Sequence, residues 1–181
     1  MMTPMHLTLT AILLVAAATD LTTQRIPNAL TYPAIIAALV YHGLTNGTDG
    51  LLFSFGGLAL GLGVMLAPYL LGVMGAGDVK LMAAVGALLG LGGALDAFIL
   101  TTLLGGLYAC GILLLHQRLF GAILRNFWRA AVLLPATRHF DYAPHPGAAH
   151  LPKLCYGVAI AFGSICAMLL GSGALTPASG L

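Results

Sequence analysis

The sequence predicts an all-α membrane protein: a polytopic bundle of about six transmembrane helices, joined by an amphipathic helix lying in the cytoplasmic interface. Three observations predict it. First, the 181-residue chain is 60% hydrophobic and 7% charged, with a mean hydropathy of +1.00. Soluble domains carry about 25% charged residues, so this chain has too little polar surface to cover a water-facing globule. Second, apolar runs close to the length of a bilayer crossing recur along the whole sequence. Third, if six of those runs cross, every Lys and Arg falls on one side of the membrane.

A helix rises about 1.5 Å per residue, so about 20 apolar residues cross the hydrocarbon core. The spans read from the sequence are 3–19, 28–44, 51–73, 79–95, 97–116 and 154–174. "MMTPMHLTLTAILLVAAATD" holds the first span. It has the length of a signal peptide but lacks the Lys/Arg region that begins one, so a retained helix is expected. "DLTTQRIPN", "LTNGTDG", "GAGD" and "GLGGALD" separate the next spans. The last of these fits either a full exit or a re-entrant turn. Gly57 with Gly61, and Gly86 with Gly90, form GxxxG pairs that read as close helix-packing faces. They do not read as phosphate loops, because no GK[ST] follows. The whole of 1–181 suits one compact membrane domain.

Segment 117–153 separates the last two spans. Within "QRLFGAILRNFWRAAVLLP", Phe120, Ile123, Leu124, Phe127, Ala131 and Leu134 recur at helical spacing, with Arg118, Arg125 and Arg129 largely off that stripe. The pattern is that of a helix in the headgroup layer. It is expected to anchor; a substrate-docking role is the sharper alternative, although its arginines would repel any basic partner. "RHFDYAPHPGAAHLPK" follows as an irregular loop.

With six crossings, the first, third and fifth connections hold Arg25, Lys80, Arg118, Arg125, Arg129, Arg138 and Lys153, which are all the Lys and Arg in the chain. Lys and Arg are retained on the cytoplasmic side during insertion. Both termini are therefore expected outside. The net charge of +2 suggests no nucleic-acid partner.

There is no glutamate, and the acids are Asp20, Asp49, Asp78, Asp96 and Asp141. Asp20 ends the first span and Asp78 opens the fourth, both on the cytoplasmic side, while Asp49 and Asp96 fall on the other. Each of the first two has an ordinary explanation. Asp78 directly before "VKLMAAVGALLG" suits an N-cap and the helix dipole, and Asp20 suits a solvated loop. A cap, however, does not need both Gly75 and Gly77, which let the backbone turn sharply and approach another segment closely. Two carboxylates brought together tend to share one proton. The ionised member can take a proton from water and the protonated member can donate to a peptide carbonyl. A coupled pair titrates as a unit, so the two roles are not assigned.

Other chemistries fit less well. The in-span serines, Ser54 and Ser164, have no evident histidine beside them for a serine protease. Without glutamate there is no HExxH zinc site. His139, Asp141, His145 and His150 cluster in one loop, but their spacing matches no standard ligand pattern, and Pro144 and Pro146 break any helix there. Cys110, Cys155 and Cys166 form no CxxC pair and read as buried, inert thiols. No metal or other cofactor is expected.

"TDLTTQRIPNALT" (19–31) followed by "GAGDVKLMAAVGALLG" (75–90) resembles the type IV prepilin peptidase family, more narrowly its small Flp/Tad-type members. The family's GxGD motif and following lysine are matched by Gly75, Gly77, Asp78 and Lys80. Its first aspartate, shortly before an Ile-Pro-Asn, is matched by Asp20 with Ile26, Pro27 and Asn28. "YGVAIAFG" (156–163) resembles the family's late Tyr-Gly-x-Ala-Ile, with Cys155 where a proline is usual. The resemblance implies an aspartic endopeptidase of the bacterial inner membrane that uses Asp20 and Asp78. It would remove the basic leader from prepilin or pseudopilin substrates at the cytoplasmic face. The larger members add a methyltransferase domain, often with paired CxxC motifs; that activity is not expected here.

Lys80 can pair with an Asp or snorkel to the headgroups, and snorkelling is the commoner fate of an interfacial lysine. Arg25 anchors topology, and Pro27 with Asn28 restarts the second helix. An alternative function is a small ion- or proton-coupled transporter using the same carboxylates. It would want an Asp near mid-bilayer and an inverted repeat, and neither is evident. A presenilin-like protease shares GxGD, but its Pro-Ala-Leu element is missing.

Overall fold

The computed structural model describes residues 4–70, 74–115 and 155–171. Four helices account for nearly all of them: α1 (Pro4–Thr23), α2 (Asn28–Leu70), α3 (Ala76–Leu115) and α4 (Tyr156–Leu170). There is no strand among the described residues. The chain divides into two compact units, Met1–Gly105 with Cys155–Leu181, and Gly106–Leu154. Of the second, the described part is the C-terminal end of α3.

Among the described residues three helices are long and apolar enough to cross a membrane: Met5–Thr23 of α1, all of α2, and Ala76–Tyr108 of α3. The outer surface is apolar too, with Leu14, Leu52, Phe55, Leu66, Leu103 and Leu107 all exposed. Water does not tolerate so continuous an apolar surface, whereas lipid does.

The sequence reading placed polar breaks at "LTNGTDG" and "GLGGALD", the second as either a full exit or a re-entrant turn. Each stretch holds one residue that departs from helical dihedrals and kinks the helix there: Gly47 (φ 60°, ψ −134°) and Gly90 (φ 71°, ψ −173°). These dihedrals are close to glycine-only territory. α2 and α3 are thus each two helical stretches joined at one glycine. The expected loop residue Asp96 accordingly lies inside α3 and is buried (1% exposed), while Asp49 is exposed on α2.

Side chains from α2 satisfy the carbonyls just ahead of the Gly90 break. Ser54 Oγ donates to the Ala87 carbonyl at 2.8 Å, and His42 Nε2 lies 3.3 Å from the Leu88 carbonyl. Phe53 packs against Gly90 where a side chain would otherwise stand.

The core runs along the first half of α3. Leu81, Met82, Ala83, Ala84, Val85 and Ala87 have no exposure, and a helix apolar on every face belongs at the centre of a bundle. Leu9, Leu13 and Ala16 of α1, Met65 of α2 and Ile160 of α4 pack into the same cluster. α2 and α3 approach closely where Gly57 and Gly86 face each other. A methyl group on either would overlap the other's carbonyl, so both positions must stay without a side chain for the backbones to meet.

α1 extends four residues beyond its expected end at 19, and the final helix is shorter than the expected 154–174 span. The expected amphipathic segment 117–153, with Arg118, Arg125, Arg129, Arg138 and Lys153, lies outside the described residues. So do Asp141 and the histidines His139, His145 and His150.

Candidate active site

Asp20 stands in the last turn of α1. That helix ends in a left-handed cap: Gln24 has φ 52° and its N–H donates to the Asp20 carbonyl at 2.9 Å. This is the usual device for satisfying a terminal carbonyl, here without glycine. The Asp20 side chain leaves its own helix and meets another. Its Oδ2 accepts the Gly157 N–H at 2.9 Å, and the Val158 N–H also faces this carboxylate. Both are first-turn donors of α4; the Gly157 N–H finds its acceptor in Asp20, while the Val158 N–H also donates to the Cys155 carbonyl at 3.2 Å. Cys155 precedes α4 without a side-chain cap of its own. Asp20 therefore caps α4 from α1, with its negative charge at the positive end of the α4 dipole. Asp20 is 7% exposed.

A Cβ on Gly157 would come within 3.0 Å of the Asp20 carboxylate and its Cβ. Glycine at this position thus sets how close Asp20 sits. Gly157 belongs to the late Tyr-Gly match, yet sequence reasoning did not select it as a site residue. A contact between helices does not show in spacing.

Asp78 lies in the first turn of α3. Its Oδ2 accepts the Gly75 N–H at 3.1 Å, and its own N–H donates to the Gly75 carbonyl at 3.1 Å. This is the reciprocal arrangement of a capping box, with Asp78 at the third helical position rather than at the cap itself. The expectation of a simple N-cap shifts by three residues: Gly75 takes the cap position and Asp78 reaches back to it.

The link between the two acids is the connection 24–27. Ile26 is buried against Gly77, whose hydrogen faces the Ile26 backbone and Cβ at 3.1–3.4 Å for an added carbon. The end of α1 is thereby held over the start of α3. Asp20 and Asp78 lie within electrostatic reach of each other, and both act on a third group, Cys155. Burial pushes the Cys155 thiol up, and the negative charges of Asp20 and then Asp78 push it the same way. Its Sγ donates to the Asp20 carbonyl at 3.9 Å.

Lys80 meets neither acid. Its Nζ donates to Asn28 Oδ1 at 2.9 Å and stands 5.0 Å from the centre of the Tyr32 ring. Among the described residues no three His, Cys, Asp or Glu side chains gather as a metal site would need.

A cavity of about 330 Å³ lies elsewhere, lined by Met5, His6, His42, Asn46, Phe53 and Leu88 among others. His6 is 14 positions from Asp20, ~21 Å along α1, so this cavity is at the other end of the bundle from the acids.

The family model described as the type IV leader peptidase family matches residues 7–110, more than half of the chain. The chain belongs to the type IV leader peptidase family. Leader peptidases are proteases, and membership together with the apolar helices makes this chain a membrane protease of that type. The matched region takes in Asp20 and the stretch from Gly75 to Lys80, and it ends before Cys155 and Gly157. No curated protein and no solved structure matches the chain.

Proposed function

We propose that this leader-peptidase-family chain is an aspartic endopeptidase of the bacterial inner membrane, with Asp20 and Asp78 as its catalytic pair. One carboxylate takes a proton from a water, the water attacks the scissile carbonyl, and the protonated partner donates to the carbonyl oxygen. The observation that carries this reading is that the end of α1, with Asp20, is held over the start of α3, with Asp78, through the Ile26–Gly77 contact, each acid with one oxygen already oriented by a backbone N–H. Fixing the groups before substrate arrives is what acid–base catalysis requires. Gly75 and Gly77 support the arrangement, the first as donor and the second by admitting Ile26.

The substrate in this reading is a prepilin or pseudopilin, a hydrophobic helix with a basic leader. That helix lies in the bilayer beside the bundle, which presents its bond at the cytoplasmic boundary. The two halves of α2 and of α3 each cross once. An unbroken 43-residue helix would be ~65 Å long, twice the hydrocarbon thickness of about 30 Å. With six crossings both termini lie outside, and Arg25 and Lys80 mark the cytoplasmic side.

The test is co-expression with a prepilin and a mobility shift for leader removal. The wild type should process it, Asp20→Asn and Asp78→Asn should not, and Asp49→Asn should. Loss in Asp49→Asn with retention in Asp20→Asn would overturn both site and topology.

One observation favours a second reading. Asp96, expected at a surface, is buried within α3, and buried intramembrane acids serve as proton or cation sites in transporters. A proton flux in liposomes that Asp96→Asn abolishes would support that function; no flux above empty liposomes removes it.

A further inference from the structure

The first turn of α3 has little to grip with. Ala76 and Gly77 carry almost no side chain, and Asp78 is turned back on Gly75. Lys80 supplies the grip. Asn28 is the first residue of α2 and Tyr32 is four residues on, so the two share one face of that helix. The Lys80 ammonium bridges to both, with the amide oxygen at 2.9 Å and the ring centre at 5.0 Å. Among the described residues it has no carboxylate partner. The strongest influences on Asp78 are its burial, the Gly75 N–H and the charge of Asp20. Lys80 is thus placed to hold rather than to neutralise.

What it holds is the short path between the two acids. Asn28 directly follows the connection whose Ile26 rests on Gly77, and Asp20 lies just before that connection. The Lys80–Asn28 bond and the Ile26–Gly77 contact therefore tie the start of α3 to the same few residues. We propose that Lys80 is a positioning residue: through Asn28 and Tyr32 it clamps the first turn of α3 to the first turn of α2 and so keeps Asp78 opposite Asp20. The proposal rests on the reading of Asp20 and Asp78 as the working pair.

Cys155 provides a test that does not need catalysis, because its thiol feels both acids. The protein used is the full chain in detergent, with Cys110→Ser and Cys166→Ser, so that iodoacetamide reports Cys155 alone. Asp78→Asn sets the scale: loss of that negative charge should move the pH profile of alkylation to lower pH. If Lys80 clamps, Asn28→Ala and Lys80→Met each release Asp78 and move the profile the same way. The double variant should go no further than either single one, because both cut the same link. If Lys80 acts only through its charge, Lys80→Met moves the profile to higher pH and Asn28→Ala leaves it in place. That result overturns the proposal. So does an Asp78→Asn profile identical to wild type, which would mean that Asp78 is not beside Cys155. In the prepilin assay, Asn28→Ala and Lys80→Met should lower kcat about tenfold with KM within about twofold, as misplacement of a catalytic group does. Failure of the wild type to cleave any prepilin sinks the peptidase reading, while the thiol profile still judges the clamp.

Discussion

The Gly157 N–H donates to Asp20 Oδ2 at 2.9 Å across 137 positions of sequence. One side chain thereby both caps α4 and belongs to the acid pair. The two duties separate in variants. Asp20→Asn keeps an oxygen for the Gly157 N–H, so it should fold close to wild type while losing processing. Asp20→Ala removes the cap as well and should be less stable by about 1–2 kcal/mol. Chemical denaturation beside the mobility-shift assay distinguishes them.

Gly157→Ala tests the same contact from the other side. The added carbon would stand within 3.0 Å of the Asp20 carboxylate, and the flexible acid has to move away. Processing should fall about tenfold or more, as for other small displacements of a reacting group. A fully active Gly157→Ala would show that Asp20 is not held here during catalysis.

The Gly57–Gly86 approach sets stability and not chemistry. A methyl at either position overlaps backbone that has no rotamer to escape through. Gly57→Ala and Gly86→Ala should each destabilise the bundle by about 1–3 kcal/mol, the usual range for overpacking. Thermal unfolding in detergent reads this directly, and an unchanged midpoint would contradict the contact.

At the Gly90 break, Ser54→Ala strips the Ala87 carbonyl of its donor in a fully buried setting. An unsatisfied buried acceptor costs about 1–3 kcal/mol. Ser54→Thr keeps the hydroxyl and should retain more of the stability than Ser54→Ala, provided the extra methyl is accommodated. Equal stability of wild type and Ser54→Ala would show that the bond does not hold the break.

Cys155 should respond to pH in a defined direction. Its thiol is raised by burial and by the charges of Asp20 and Asp78, so it stays protonated through neutral pH. Alkylation should therefore be slow at pH 7 and rise only on the alkaline side of an ordinary thiol. Reaction at neutral pH as fast as that of an exposed cysteine would place the acids elsewhere.

The all-helical apolar class and the leader peptidase family were legible in the sequence. Hydropathy accumulates over neighbouring residues, and the motif residues stand together in the chain. The breaks at "LTNGTDG" and "GLGGALD" were legible too, and the structure narrows each to one kinked glycine, Gly47 and Gly90, because a short break leaves little backbone to satisfy where water is scarce. Asp96 was misplaced for the same reason.

Length, composition and the placement of charge thus determined by themselves that this is an apolar helical protein with two candidate acids near helix ends. Those are local properties, fixed by each residue and its neighbours. Tertiary structure alone decided that Asp20 caps α4, that Lys80 turns to Asn28 and not to an acid, and that Gly57 meets Gly86. Each of those contacts joins segments far apart along the chain, where only the packing of whole helices determines which groups come within reach.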